Sequence, residues 1–171
     1  VCVALALGLP ACGGDPNAPG VQTVYTNADF GFQLQYLSNW IVSVDPPSLV
    51  GAQPDKIHVV SFVRREDKGA FVVFVQQLDG EEALSDYAIR QMDGMQSGAG
   101  VVFSTLTPAQ LGDLDALETE TLVTQEGQEL TQRVVFAVSG SRGYAVSLIA
   151  PVDSATVTAL DDMLASFAFL P

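Results

Sequence analysis

Apolar residues in this chain fall into about eight short strand-like runs and two segments of helical period, and the order of those segments leaves few folds open. Phe30, Phe32, Leu34 and Tyr36 alternate with Gly31, Gln33 and Gln35, the pattern of a strand with one apolar face. Ser38-Asn39 reads as a turn, and Trp40 to Val44 as a second strand. Asp45-Pro46-Pro47 ends it, since neither proline can donate a ladder hydrogen bond. Ile57 to Val63 and Phe71 to Leu78 follow, joined by the charged turn Arg64-Arg65-Glu66-Asp67-Lys68-Gly69. The period then changes. Leu84, Tyr87, Ala88, Met92 and Met95 share one face of a helix, with Ser85 and Asp86 placed to cap its start and Gly98 and Gly100 to stop it. Further strands are predicted at Val101 to Leu106, Ala116 to Thr124, Leu130 to Val138 and Tyr144 to Ala150. Their turns are Glu126-Gly127 and Gly140-Ser141-Arg142-Gly143. A last helix, capped by Asp153 or Ser154, carries Val157, Leu160, Met163, Leu164 and Phe167 on its buried side. Strands joined by hairpins rather than crossovers imply an α+β fold, an antiparallel β-sheet flanked by helices that cover its two faces or share one.

Residues 1–11, Val-Cys-Val-Ala-Leu-Ala-Leu-Gly-Leu-Pro-Ala, are uncharged and too few to span a bilayer, which takes about 20 residues. They read as the remnant of a signal peptide. Leu9-Pro10-Ala11-Cys12-Gly13-Gly14 resembles a bacterial lipobox, with an aliphatic residue at −3, a small one at −1 and then the cysteine that receives diacylglycerol. The thiol is the acylation nucleophile, and small neighbours let the modifying enzymes reach the backbone. A thioether-linked diacylglycerol supplies two chains, which is what stable anchoring needs. Residues 12–22 are then the lipidated Cys12 and a flexible tether rich in Gly, Pro and polar residues, and 23–171 form the folded domain.

Composition narrows the function classes. The formal net charge of −13, from 20 acidic and 7 basic residues, disfavours nucleic-acid binding and adhesion to anionic headgroups, both of which need Lys and Arg. Cys2 and Cys12 are the only cysteines, so the domain can hold no internal disulfide, thiolate zinc site or cysteine nucleophile. Hydrophobic residues make up 48% of the chain, enough to bury a real core.

Asp29-Phe30-Gly31-Phe32-Gln33-Leu34-Gln35-Tyr36, ending in Ser38-Asn39-Trp40, resembles the opening hairpin of PsbP-like domains. The hairpin 130–150, with Arg142-Gly143-Tyr144, and the closing Leu164-Ala165-Ser166-Phe167 resemble that family's end, so the likeness runs in order over about 24–171. It implies an αβα sandwich around an antiparallel sheet. The family includes extrinsic photosystem subunits, a Ran-binding nuclear import factor and bacterial envelope lipoproteins of the DcrB and LpqN types. Most of these bind or assemble other components without catalysis, and the fold does not carry one function across them.

The chemistry-bearing residues are few. His58 is the only histidine, it alternates with Val59 on a strand, and no Gly-x-Ser-x-Gly elbow accompanies it. Gly140-Ser141-Arg142-Gly143 lacks the Walker spacing and lysine of a phosphate loop and is explained by a hairpin turn. No catalytic residue and no cofactor is assigned. Asp113, Asp115, Glu118, Glu120, Glu126 and Glu129 lie in a stretch from 91 to 132 without Lys or Arg. The expected role is a solvated acidic surface, with Glu118 and Glu120 on one polar face. The sharper alternative is a hard-cation site at Asp113, Asp115, Glu118 and Glu120, or a docking patch for a basic partner, although no EF-hand spacing is present. Trp40, Phe30 and Phe32 read as core before they read as a binding patch.

These features lead to a lipid-anchored bacterial envelope protein, held by Cys12 on the extracytoplasmic face of a membrane. It binds or helps assemble an envelope protein partner, with no nucleic acid and no enzymatic activity. One alternative is a carrier of a lipid or small ligand in a pocket between sheet and helix. The other is a hydrolase built on carboxylates or His58.

Overall fold

The structure, a computed structural model, describes residues 20–44, 57–99, 101–125, 127–152 and 154–171. In chain order these residues form β1 (Gln22–Asn27), β2 (Phe32–Leu37), β3 (Ile41–Ser43), β4 (Ile57–Val63), β5 (Ala70–Gln77) and α1 (Leu84–Ala99). There follow β6 (Thr107–Leu111), β7 (Leu114–Gln125), β8 (Gln128–Ser139), β9 (Arg142–Pro151), α2 (Ala155–Ala165) and β10 (Ala168–Phe169). All pairings are antiparallel. They build two sheets rather than one, a seven-stranded sheet ordered β3-β4-β5-β9-β8-β7-β6 and a three-stranded sheet ordered β1-β2-β10.

β9 is the middle of the large sheet and is buried on both faces from Gly143 to Ala150, so its side chains sort the core into two layers. On one face Phe71, Val73 and Val75 of β5, Val146 and Leu148 of β9 and Val135 of β8 meet Phe32 and Leu34 of β2. Leu160 and Met163 of α2 join the same layer. Phe32 stacks on Phe167 with ring centres 5.1 Å apart, and the Tyr25 ring edge points at Phe62 at 5.5 Å. On the other face Val134 and Phe136 of β8 and Ala145 of β9 pack against Tyr87 and Ala88 of α1 and against Phe103.

The fold is thus sheet-dominated. One face of the large sheet carries α1, and the other is shared by α2 and the second sheet, where the sequence implied helices alone. Alternation shows that 32–37 is a strand with one apolar face but not which strand it pairs with. β2 pairs with β1 and β10, away from the large sheet.

Several expected boundaries move. β4 spans the predicted 57–63, while Val101 to Leu106 is not a strand. There the ladder is partly replaced by side chains: Thr119 Oγ1 donates to the Ser104 carbonyl at 2.8 Å and Thr121 Oγ1 to the Val102 carbonyl at 2.7 Å. Regular pairing begins at Thr107, which makes β6 with Pro108 an edge strand. Helix α1 opens at Leu84, so Ser85 and Asp86 lie inside its first turn instead of capping it, and it runs through Gly98. Ser154 stands at the N-cap of α2 with extended backbone, but its side chain makes no capping bond; Asp153 lies outside the described residues.

Candidate functional site

The acidic stretch does not converge. Asp113 is exposed in the turn between β6 and β7, and Asp115 accepts a hydrogen bond from Gln110 Nε2 at 2.8 Å. Along β7 alternate residues face opposite sides, so Glu118 and Glu120 lie on the α2 side and Asp115 on the α1 side. Glu118 is spent on Arg133 Nε at 3.5 Å, and Arg133 also pairs with Asp161 of α2. Glu120 and Glu129 are exposed, and Glu126 lies outside the described residues. Among the described residues no group of acids, histidine or cysteine has the geometry of a metal site. Thr119 and Thr121 alternate with the glutamates and so face the α1 side, where they are buried and bonded to the Ser104 and Val102 carbonyls.

Other predicted residues are structural. Trp40 and Phe32 are buried, and Phe30 is half-buried with the Arg142 guanidinium over its ring at 5.9 Å. Tyr144, from the Arg142-Gly143-Tyr144 motif, donates its hydroxyl to the Phe30 carbonyl at 2.9 Å and so ties the large sheet to the β1–β2 turn. His58 lies on β4 opposite Phe74, its backbone in the ladder. Cys12 lies outside the described residues.

A cleft of about 390 Å³ opens where β5 runs out toward α1, lined by Gln76 to Glu82 and by Arg90. Sequence reasoning did not single it out, because its walls come from the end of a strand, a six-residue connection and the second turn of a helix. Arg90 is its organiser. Its Nε and Nη2 donate to the two Glu82 oxygens at 3.0 and 2.7 Å, and its Nη1 donates to Gln76 Oε1 at 3.2 Å. The same guanidinium lies 5.5 Å from the centre of the Tyr87 ring. Hydrogen bonding to Arg90 holds the Glu82 carboxyl below the usual carboxylate range, against a smaller opposing effect of burial. Behind the cleft, Gln91 Nε2 donates to Gln76 Oε1 at 2.6 Å, a buried amide pair at the α1–sheet contact. With Asp79 and Glu81 exposed in its lining, the cleft has room for a small polar group, while the Glu82 and Gln76 side-chain oxygens are already engaged by Arg90 and Gln91.

No protein-family model matches the sequence, and no curated protein matches it by sequence. Solved structures do match in fold. The cyanobacterial PsbP protein, CyanoP, of Synechocystis sp. PCC 6803 is 15% identical with a TM-score of 0.65, over 95% of this chain and 98% of that one. LpqN of Mycobacterium tuberculosis, described as involved in cell envelope biogenesis, is 16% identical with a TM-score of 0.52, over 91% and 87%. A protein of Bacteroides thetaiotaomicron is 12% identical with a TM-score of 0.58; the match covers 86% of this chain and 48% of that protein, about half its length. At such identities the likeness speaks for architecture and not for activity. The two packed antiparallel sheets with their two helices are a PsbP-like fold.

Proposed function

We propose that this chain is a lipid-anchored envelope protein that binds or helps assemble another envelope component and catalyses nothing itself. The observation that carries the reading is Leu9-Pro10-Ala11-Cys12-Gly13-Gly14 set so close to the fold. β1 opens at Gln22, so the chain between Cys12 and the folded part reaches about 35 Å at most. A domain on so short a leash works at the membrane surface. Its acidic charge keeps it off anionic headgroups and leaves its faces open to proteins. The shared fold with LpqN, a protein of cell envelope biogenesis, fits the same location.

Whole-protein mass spectrometry tests the anchor. Expressed in a bacterial host with a complete signal peptide, the membrane fraction should contain a chain beginning at Cys12 with the added mass of a diacylglycerol. Cys12→Ser should abolish that species. A soluble, unlipidated chain that keeps residues 1–11 would overturn the proposal.

The cleft at Gln76–Glu82 supports a second reading, a carrier of a small polar ligand. Native mass spectrometry of protein purified from its own envelope decides between them. A ligand lost on Arg90→Ala favours the carrier, and repeated ligand-free spectra favour the protein-binding role.

A further inference from the structure

We propose that β1 is a homodimerisation edge, pairing antiparallel with β1 of a second copy to join the two small sheets into one six-stranded sheet. This goes beyond the proposed function and does not depend on Cys12.

The backbone of β1 is set up for it. The Ser38 amide donates to the Val21 carbonyl at 2.9 Å and the Val21 amide to Ser38 Oγ at 3.0 Å, so these two backbones face each other just beyond the β1–β2 ladder and set its parity. With the register Gln22↔Leu37 to Asn27↔Phe32, hydrogen-bonded pairs then fall at Thr23, Tyr25 and Asn27. Gln35, opposite Val24, confirms the parity, because its amide points the other way, to Ser166 Oγ at 2.8 Å. The N–H and C=O groups of Gln22, Val24 and Thr26 therefore point to the outer edge, and among the described residues β1 has a strand on one side only.

The other three edges are short or blunted: β3 has three residues, β10 has two, and β6 carries Pro108. β1 has six residues, with neither a charge nor a proline. Among the described residues, five of the nine large hydrophobics that stand exposed, Val21, Val24, Ile41, Val42 and Val44, lie on β1, β3 and their flanks. Both strands lie on one side of the molecule. Tyr25 of β1 packs on Phe62 of β4, the strand beside β3, while Phe169 of β10 packs on Tyr144 at the middle of the large sheet.

Charge selects the occupant. Two copies at −13 each repel, so a contact between them costs least where neither is charged. Between Gly20 and Val44 the single charged residue is Asp29, in the turn at the far end of β1. This surface offers nothing to a basic partner and no penalty to its own copy. An antiparallel pair centred on Val24 is self-complementary. Val24 exchanges both bonds with Val24 of the partner subunit, and Gln22 does so with Thr26 of the partner subunit, about six hydrogen bonds in all.

Sedimentation velocity of the full chain across about 1–300 μM should show a monomer–dimer equilibrium with a dissociation constant on the order of 10 μM, as a small edge interface gives. Val24→Pro deletes one outward N–H and leaves the β1–β2 ladder intact, and Val24→Lys sets like charges opposite each other. Each should weaken the dimer at least tenfold with circular dichroism and Tm unchanged. If Val24→Pro lowers Tm, Val24→Lys decides alone. Gln110→Lys on the β6 edge should leave the dimer as it is. A chain that stays monomeric throughout, a dimer indifferent to Val24→Lys, or one dissolved by Gln110→Lys overturns the proposal.

Discussion

Tyr87 of α1 lies flat against Gly143 of β9, leaving no room for a side chain at residue 143. A Cβ there would stand 2.9 Å from Tyr87 Cδ2 and closer still to Cε2 and Cζ. Tyr87 is fully buried, with its ring edge-on to Phe136 at 6.2 Å, so it has nowhere to retreat. The glycine of Arg142-Gly143-Tyr144 is thus required by packing, and α1 sits as close to the sheet as a missing methyl group allows.

Gly143→Ala should therefore destabilise the fold by about 1–3 kcal/mol, the usual cost of overpacking a filled core. Urea denaturation measures it. Tyr87→Leu in the same chain should cost less than the sum of the two single changes, since the smaller side chain clears the clash. Strict additivity would mean that the ring and residue 143 do not meet.

A second long-range link holds α2. Thr156, fully buried in its first turn, donates its hydroxyl to Asp67 Oδ2 and receives Arg64 Nη1 at 3.2 Å, while the Gly69 amide donates to Asp67 Oδ1 at 3.1 Å. The β4–β5 turn thereby pins the first turn of α2 through the Thr156 side chain, whereas the Ser154 side chain at the N-cap makes no capping bond. Thr156→Val keeps the shape and removes the hydroxyl, so it should cost about 1–3 kcal/mol by denaturant titration. Ser154→Ala should stay within about 0.5 kcal/mol, against the 1 kcal/mol or so typical of a working cap.

These links explain what the sequence could disclose. The stripes of α1 and α2 were legible because their large buried side chains recur at helical spacing, and the hairpins from β4 to β5 and from β8 to β9 because short apolar runs are bounded by charged or Gly-rich turns. β1 was not. Its inward residues are Thr23, Tyr25 and Asn27, only one of them a large ring, and its strand character comes from pairing with β2. Val101-Val102-Phe103 misled for the opposite reason: it is apolar, yet Val102 is 81% exposed and only Phe103 is buried. The cleft was invisible because Gln76, Glu82 and Arg90 have no shared period, and their meeting depends on where β5 ends and α1 begins.

The acidic residues were legible as a surface, and their separation yields a prediction. With Asp115 on the face opposite Glu118 and Glu120, and Glu118 engaged by Arg133, millimolar Ca²⁺ should produce no saturable rise in Tm. Glu118→Gln should not change that response. A saturable shift lost in Asp115→Asn or Glu118→Gln would show that these carboxylates do converge on a cation.

Glu82 and Arg90 give the fold a defined acid response. Arg90 donates to both Glu82 oxygens, and this bonding holds the carboxyl below its ordinary value of 4.5. A group whose folded value is depressed contributes stability that is fully present above the unfolded value and is lost as pH falls through the folded one. The pair therefore contributes a constant amount above about pH 4.5 and progressively less below it. The pair is partly exposed, so the contribution is no more than about 1 kcal/mol. Glu82→Gln should lower stability at pH 7 by up to that amount and converge on the parent chain as the pH approaches 3. Denaturation curves at pH 7, 5, 4 and 3 measure the two together. A gap that stays constant down to pH 3 would mean that Glu82 acts through packing and not through its charge.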